Sequence, residues 1–173
     1  MKKKHRRKLR LSSSYWPLQQ DCVEFYGDPY QPGWLQANTV DVVCPWPLFS
    51  DGMPIANKIL IHSKCAESLT RILNGIWDAM GHSVEKIHAY GYDQFDGSYN
   101  LRPMRGSSSL SMHAFACAID WDAAENPFHS TDHWFTSDGL MVQHFEGEGW
   151  IWGGRWSDAW VDAMHFQAAR IHS

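Results

Sequence analysis

Six of the eight prolines fall in the first third of the chain, at Pro17, Pro29, Pro32, Pro45, Pro47 and Pro54. Each fixes φ and removes a backbone donor, so no long helix can run through this region. Between them Thr39–Val43 (TVDVV) has the β-branched content of a short strand, and Ile59–Ile61 of a second. The first long regular element is therefore predicted over about Ser63–Met80. There Cys65, Leu69, Ile72, Leu73, Ile76, Trp77 and Met80 recur at three- and four-residue steps, the stripe of a helix with one buried face. Ser63 reads as its N-cap and Gly81 as the residue that ends it.

Downstream, Lys86–Tyr92 reads as a strand, Asp96–Ser109 as a Gly- and Ser-rich loop, and Ala116–Trp121 as a buried strand carrying one acidic side chain. A long loop to about Gly139, a strand over Leu140–Phe145, a Trp/Gly-rich turn, a short helix near Ser157–Val161 and a last strand over Met164–Gln167 complete the reading. Strands and helices in this order, with no βαβ rhythm, predict an α+β fold: one compact domain, mainly antiparallel sheet with flanking helices. The 173 residues, 44% hydrophobic and 14% aromatic, are enough for one core and exclude a disordered chain. No apolar run approaches the roughly 18 residues a membrane-spanning helix needs.

Charge is unevenly placed. Residues 2–10 hold 7 of the 15 Lys and Arg, so the remainder carries 8 basic side chains against 19 acidic ones. An acidic body argues against nucleic-acid binding. Residues 1–13 read as a basic arm, either a solvated terminus or a tether to an anionic polymer, and residues 14–173 as the folded domain. No apolar stretch follows the charged start, so no secretory signal is expected. Cys22, Cys44, Cys65 and Cys117 are widely spaced with no CxxC pair, which predicts buried free thiols of a protein made in a reducing cytoplasm.

Two segments hold polar groups that a core would not request. Ser111–Asp120 (SMHAFACAID) ends an apolar run in a carboxylate, with His113 seven residues earlier. A buried carboxylate is costly unless paired or bound to metal. Trp150–Gln167 places Asp162 and His165 among aromatics. By residue type, two His and one Asp suit a three-ligand catalytic zinc site, with Asp162 as a base. Histidines satisfied within a core or at the surface are an equally open account. His129 and His133 form an HxxxH pair, but the Ser-Thr-Asp between them favours a loop. Trp150, Trp152, Trp156 and Trp160 can pack a core or line a groove.

The two segments resemble a known family. Ser111-x-His113-x3-Cys117-Ala118-x-Asp120, followed by Gly153-Gly154-x-Trp156-x5-Asp162-x-Met164-His165-Phe166, is similar to the signatures of the zinc D-alanyl-D-alanine carboxypeptidases and L-alanyl-D-glutamate endopeptidases, the VanY-like and phage-endolysin group. The resemblance spans roughly residues 24–167, with Phe25–Pro29, the helix after His62 and Tyr99–Pro103 as weaker contributors. It implies a hedgehog/DD-peptidase-like fold and one Zn2+ held by His113, Asp120 and His165. It also implies Asp162 as catalytic base and Arg102 as the arginine that contacts substrate, with Arg105 as competitor; Ser111 is expected to bind substrate or fix the neighbouring ligand. Two positions depart from the pattern: Ala116 stands where Gly is common, and Gln167 where many members have Glu.

The implied function is hydrolysis of an amide bond in the peptide stem of bacterial peptidoglycan, most simply by an L-alanyl-D-glutamate endopeptidase. A D-alanyl-D-alanine carboxypeptidase and a non-catalytic, zinc-stabilised wall-binding module are the alternatives. The expected partner is the stem peptide, with an anionic wall polymer for the arm, no membrane, no nucleic acid and a monomeric state. The expected course is synthesis in the cytoplasm and endolysin-like action at the wall after release.

Overall fold

The computed structural model describes residues 15–157 and 159–172; the basic arm at 1–13 lies outside them. The Pro-rich region holds two five-residue helices, α1 (Cys22–Tyr26) and α2 (Trp34–Asn38), and then strand β1 (Thr39–Val43). β1 pairs antiparallel with β4 (Lys58–His62), Thr39 opposite His62, and a small hairpin of β2 (Leu48–Ser50) and β3 (Met53–Ile55) lies between them in the chain.

Helix α3 (Ser63–Ala79) follows at once, burying Cys65, Leu69, Ile72, Leu73 and Ile76. Each large aliphatic side chain buried this way contributes about 1.5–3 kcal/mol. Its cap differs from expectation. His62, not Ser63, accepts the Lys64 N–H through Nδ1 at 3.1 Å, while its Nε2 faces the Tyr26 carbonyl at 3.1 Å. That carbonyl can only accept, so Nε2 carries the proton and Nδ1 is free to cap. Gly81, at φ +66°, takes the left-handed turn beyond the helix.

Three further expectations are corrected. Val84–Ala89 is a helix, α4, within the segment read as a strand over 86–92. The Ser83 hydroxyl caps it by accepting the Lys86 N–H, and only Ile87 turns inward, so the apparent alternation had one apolar member to bury. Leu140–Gly147 is also a helix, α5, with Met141, Val142 and Phe145 on its buried side. A short apolar run does not distinguish strand from helix by period alone, and here packing against α3 decides. At Gly75 the two helices come so close that a Cβ would lie 2.6 Å from His144 Cδ2. The described residues of 157–161 form a turn rather than a helix, with Trp160 N–H donating to Ser157 C=O at 2.6 Å.

The main sheet has the order β5-β6-β8-β7, every pair antiparallel: β5 (Phe95–Gly97), β6 (Ala118–Trp121), β8 (His165–Gln167) and β7 (Ile151–Trp152). β6 begins later than residue 116 because Ala116, at φ +49°, closes a 3-10 helix over Met112–Phe115. The register sets Ala118 opposite Gln167, Ile119 opposite Phe166 and Asp120 opposite His165. Ile119 and Phe166 point into the single core, so Asp120 and His165 point to the other face. Residues 17–19 are tied to the segment that follows β8, with Gln19 N–H on Arg170 C=O and Arg170 N–H on Pro17 C=O, both at 2.8 Å. The fold is the α+β arrangement of antiparallel sheet and flanking helices that the element order implied.

Candidate metal centre and active site

Three side chains converge on the face of the main sheet turned away from the core. His113 comes from the 3-10 helix, whose N-cap Ser111 accepts the His113 N–H through its hydroxyl at 3.3 Å. Asp120 and His165 come from the paired strands β6 and β8. Asp120 Oδ1 lies 3.0 Å from His165 Nδ1, Asp120 Oδ2 lies 3.2 Å from His113 Nε2, and the two ring nitrogens are 3.1 Å apart. Among the described residues this is the group of three His, Cys, Asp or Glu side chains close enough to share a metal ion.

The outer nitrogens reveal the protonation. His113 Nδ1 faces the Ser98 carbonyl at 2.9 Å, and His165 Nε2 faces Gln167 Oε1 at 3.0 Å. Both partners accept, so both outer nitrogens carry protons, and in the neutral rings the inner nitrogens present lone pairs to each other and to a carboxylate. A proton or a metal ion at the centre satisfies such a cluster of acceptors. Two imidazole nitrogens and one carboxylate oxygen form a donor set suited to zinc, with a further coordination position left for solvent or substrate. The pKa shifts pair the carboxylate with the two imidazoles. Burial pushes the Asp120 carboxyl up, but the hydrogen bonds and charges of His113 and His165 outweigh it and hold the group well below the usual carboxylate range. Burial likewise depresses His165, and Asp120 more than restores it.

Asp162 stands beside this cluster. Burial is the main influence on its carboxyl, and with the nearby Asp120 charge it outweighs the pull of His165, His113 and Arg105, lifting the pKa to about 6. Its Oδ1 is buried without a protein partner. The backbone position is set by Gly153, whose C=O accepts the Asp162 N–H at 3.0 Å and where a Cβ would stand 2.4 Å from the Asp162 carbonyl oxygen. A side chain at 153 therefore cannot coexist with this placement of Asp162.

The cluster opens into a cavity of about 330 Å³ whose rim includes Arg102, Arg105, Phe128, Trp156 and Trp160. Residues 102–111 close back on themselves through Ser111 N–H to Arg102 C=O at 3.0 Å and Met104 N–H to Ser109 C=O at 2.8 Å. That loop brings both arginines to the cavity. Arg105 lies over the Phe128 ring at 4.9 Å, and half-buried Arg102 has a weak contact to Pro103 C=O at 3.3 Å. Trp150 and Trp152 are buried in the core, whereas Trp156 is half-buried on the cavity wall and Trp160 is exposed. The tryptophans thus divide between packing and groove.

Residues 105–168 match the family model described as D-alanyl-D-alanine carboxypeptidase. No curated protein and no solved structure matches the chain. The matched segment contains His113, Asp120, Asp162, His165 and Arg105, and stops short of Arg102. It supports, at a general level, a peptidase acting on peptidoglycan.

All six side chains singled out in the sequence, including Ser111 and Arg102, line this one cavity. The Ser111 hydroxyl is engaged with the His113 backbone, which makes it a local support for that imidazole. His129 and His133 lie in a loop, with His133 Nδ1 against the Phe135 carbonyl at 2.7 Å. Sequence reasoning missed Ser98, which acts through a backbone carbonyl and so leaves no side-chain signature. It also missed Phe128, an isolated aromatic in a loop whose position under Arg105 depends on tertiary structure. No helix among the described residues is long and apolar enough to cross a membrane.

Proposed function

We propose that this chain is a zinc-dependent peptidase that hydrolyses an amide bond in the peptide stem of bacterial peptidoglycan, cutting between L-Ala and D-Glu. The observation that carries the reading is the convergence of two inward imidazole lone pairs and Asp120 beside a buried, unpartnered Asp162 oxygen in one cavity. His113, Asp120 and His165 would hold the ion, and bound zinc supplies Lewis acidity to the scissile carbonyl and to an attacking water.

The protein groups do the rest. Asp162 accepts a proton from the attacking water as the carbon–oxygen bond forms, then returns it to the departing amine as the carbon–nitrogen bond breaks. Burial favours its protonated form and the charge of a bound ion would favour the carboxylate, which suits a group that must both take and give a proton. Arg102 offsets negative charge developing on the carbonyl oxygen. Arg105, stacked on Phe128, adds a second cation on the rim, so the cavity favours a substrate carrying carboxylates. Trp156 and Trp160 supply apolar walls for the stem.

The description of the matching family favours a second reading, removal of terminal D-Ala, by the same groups. Mass spectrometry of purified peptidoglycan after incubation, with chelator and with zinc restored, separates them. New D-Glu amino termini indicate the endopeptidase and released D-Ala the carboxypeptidase. Absence of any chelator-sensitive product across several wall types would leave the wall-binding module. An endolysin-like course, with residues 2–10 tethering the chain to an anionic wall polymer, belongs to the same proposal. Deleting those residues should weaken sedimentation with whole walls and leave cleavage of a small soluble peptide intact; undiminished sedimentation would remove the tether.

A further inference from the structure

Gln167 is buried on the face of β8 that turns away from the core. It is 1% exposed, and it follows His165 by two residues on β8, so the two side chains share one face of the strand. Its amide orientation is settled by its neighbours. Nε2 lies 2.8 Å from the Ala169 carbonyl, which can only accept, so the NH2 group points there and Oε1 points to His165. Oε1 then stands 3.0 Å from His165 Nε2, with Gln19 Nε2 approaching the same oxygen at 3.4 Å. Gln19 is itself held by its backbone N–H on Arg170 C=O at 2.8 Å.

We propose that Gln167 is a positioning residue that holds His165 as the Nε2–H tautomer, aiming the Nδ1 lone pair at the point shared with His113 and Asp120. Two acceptors flank the ring, Asp120 Oδ1 at Nδ1 and the amide oxygen at Nε2, both at 3.0 Å, and the amide oxygen keeps a proton on the outer nitrogen whatever occupies the inner side. The same oxygen fixes the ring plane, because β8 and the Ala169 bond fix the amide. A neutral amide does this without a second buried negative charge beside Asp120, and its NH2 satisfies the Ala169 carbonyl, which a carboxylate would repel. Groups that orient a ligating histidine in this way commonly change metal affinity 10- to 100-fold when removed.

The inference rests on His165 being a metal ligand, and the test keeps the two claims apart. Zinc affinity is measured on the full chain by competition with a chromophoric chelator for wild type, Gln167→Met and Gln167→Glu, with thermal unfolding run alongside. Gln167→Met, similar in length but without the acceptor, should bind zinc about 10- to 100-fold more weakly. Gln167→Glu, which keeps an acceptor, should recover most of that loss even if it unfolds at lower temperature. A folded Gln167→Met chain with wild-type zinc affinity would overturn the proposal. Should that variant not fold, ring nitrogen-15 shifts of wild-type His165 decide it. They are recorded without metal, above the pH at which the His165 ring shifts stop changing and the ring is neutral. A proton on Nε2 is expected, and a proton on Nδ1 would overturn it. A wild-type chain that binds no zinc would remove the metal reading, while the tautomer would still decide the role of Gln167.

Discussion

At the scale of single residues, two positions separate chemistry from architecture. Asp162→Asn keeps the volume of the proposed base and removes its ability to take a proton. It should lower hydrolysis by about 10²- to 10⁴-fold while chelator competition finds zinc affinity little changed; undiminished turnover would sink the base assignment. Ala116 concerns the backbone. It occupies φ +49°, a left-handed conformation in which a Cβ costs about 1–2 kcal/mol, and this explains why glycine suits that place in the signature. Ala116→Gly should therefore raise stability by about 1 kcal/mol and the midpoint of thermal unfolding by about 2–4 °C. A lower midpoint would mean that the Ala116 methyl contributes more by packing than it costs in strain. The signature was legible in the sequence at this scale, but the reason for its glycine was not, since a dihedral angle has no letter.

At the scale of elements, the functional groups depend on how short segments meet. Asp120 and His165 are 45 residues apart and become direct neighbours because β6 and β8 pair in one register. A slip of one residue would turn one of them into the core. Gly153 performs the equivalent service for Asp162, whose carbonyl leaves no room for a Cβ. Gly153→Ala should cost about 1–3 kcal/mol through overpacking and should depress hydrolysis more than zinc affinity, because the displaced group is Asp162 rather than a ligand. Equal loss of both would place the damage in the whole β8 segment. The helices show where periodicity stops being informative. α3 was legible because its apolar positions repeat through 17 residues. α4 and α5, at 6 and 8 residues, contain too few turns for a period, and their identity comes from the Ser83 cap and from packing on α3.

At the scale of the molecule, the proposed metal centre ties binding to stability. Zinc bridging the 3-10 helix, β6 and β8 should raise the unfolding temperature, since a ligand that binds only the folded state stabilises it. Chelator should lower that temperature and restored zinc should recover it; a chelator-insensitive midpoint would argue against a bound ion. The thiols report on the same core. All four cysteines are buried and free, and burial pushes Cys44 and Cys65 up to about 12. Native protein should leave its thiols unreacted with an aromatic disulfide reagent until denaturant is added. Unfolded thiols ionise near about 8.5, so between that pH and about 12 the unfolded chain releases protons that the folded chain retains. Stability should thus be insensitive to these groups below about pH 8 and fall above it, which denaturant titration at rising pH would check. Local pattern alone settles the absence of a long helix across the Pro-rich residues 17–54, the course of α3 and the spacing of the candidate ligands, because those follow from backbone geometry over a few consecutive residues. The acceptors facing His113 Nδ1 and His165 Nε2, the approach of Gly153 to Asp162 and the stacking of Arg105 on Phe128 were decided only in three dimensions. Each depends on an atom, often a backbone carbonyl, brought in from a distant part of the chain.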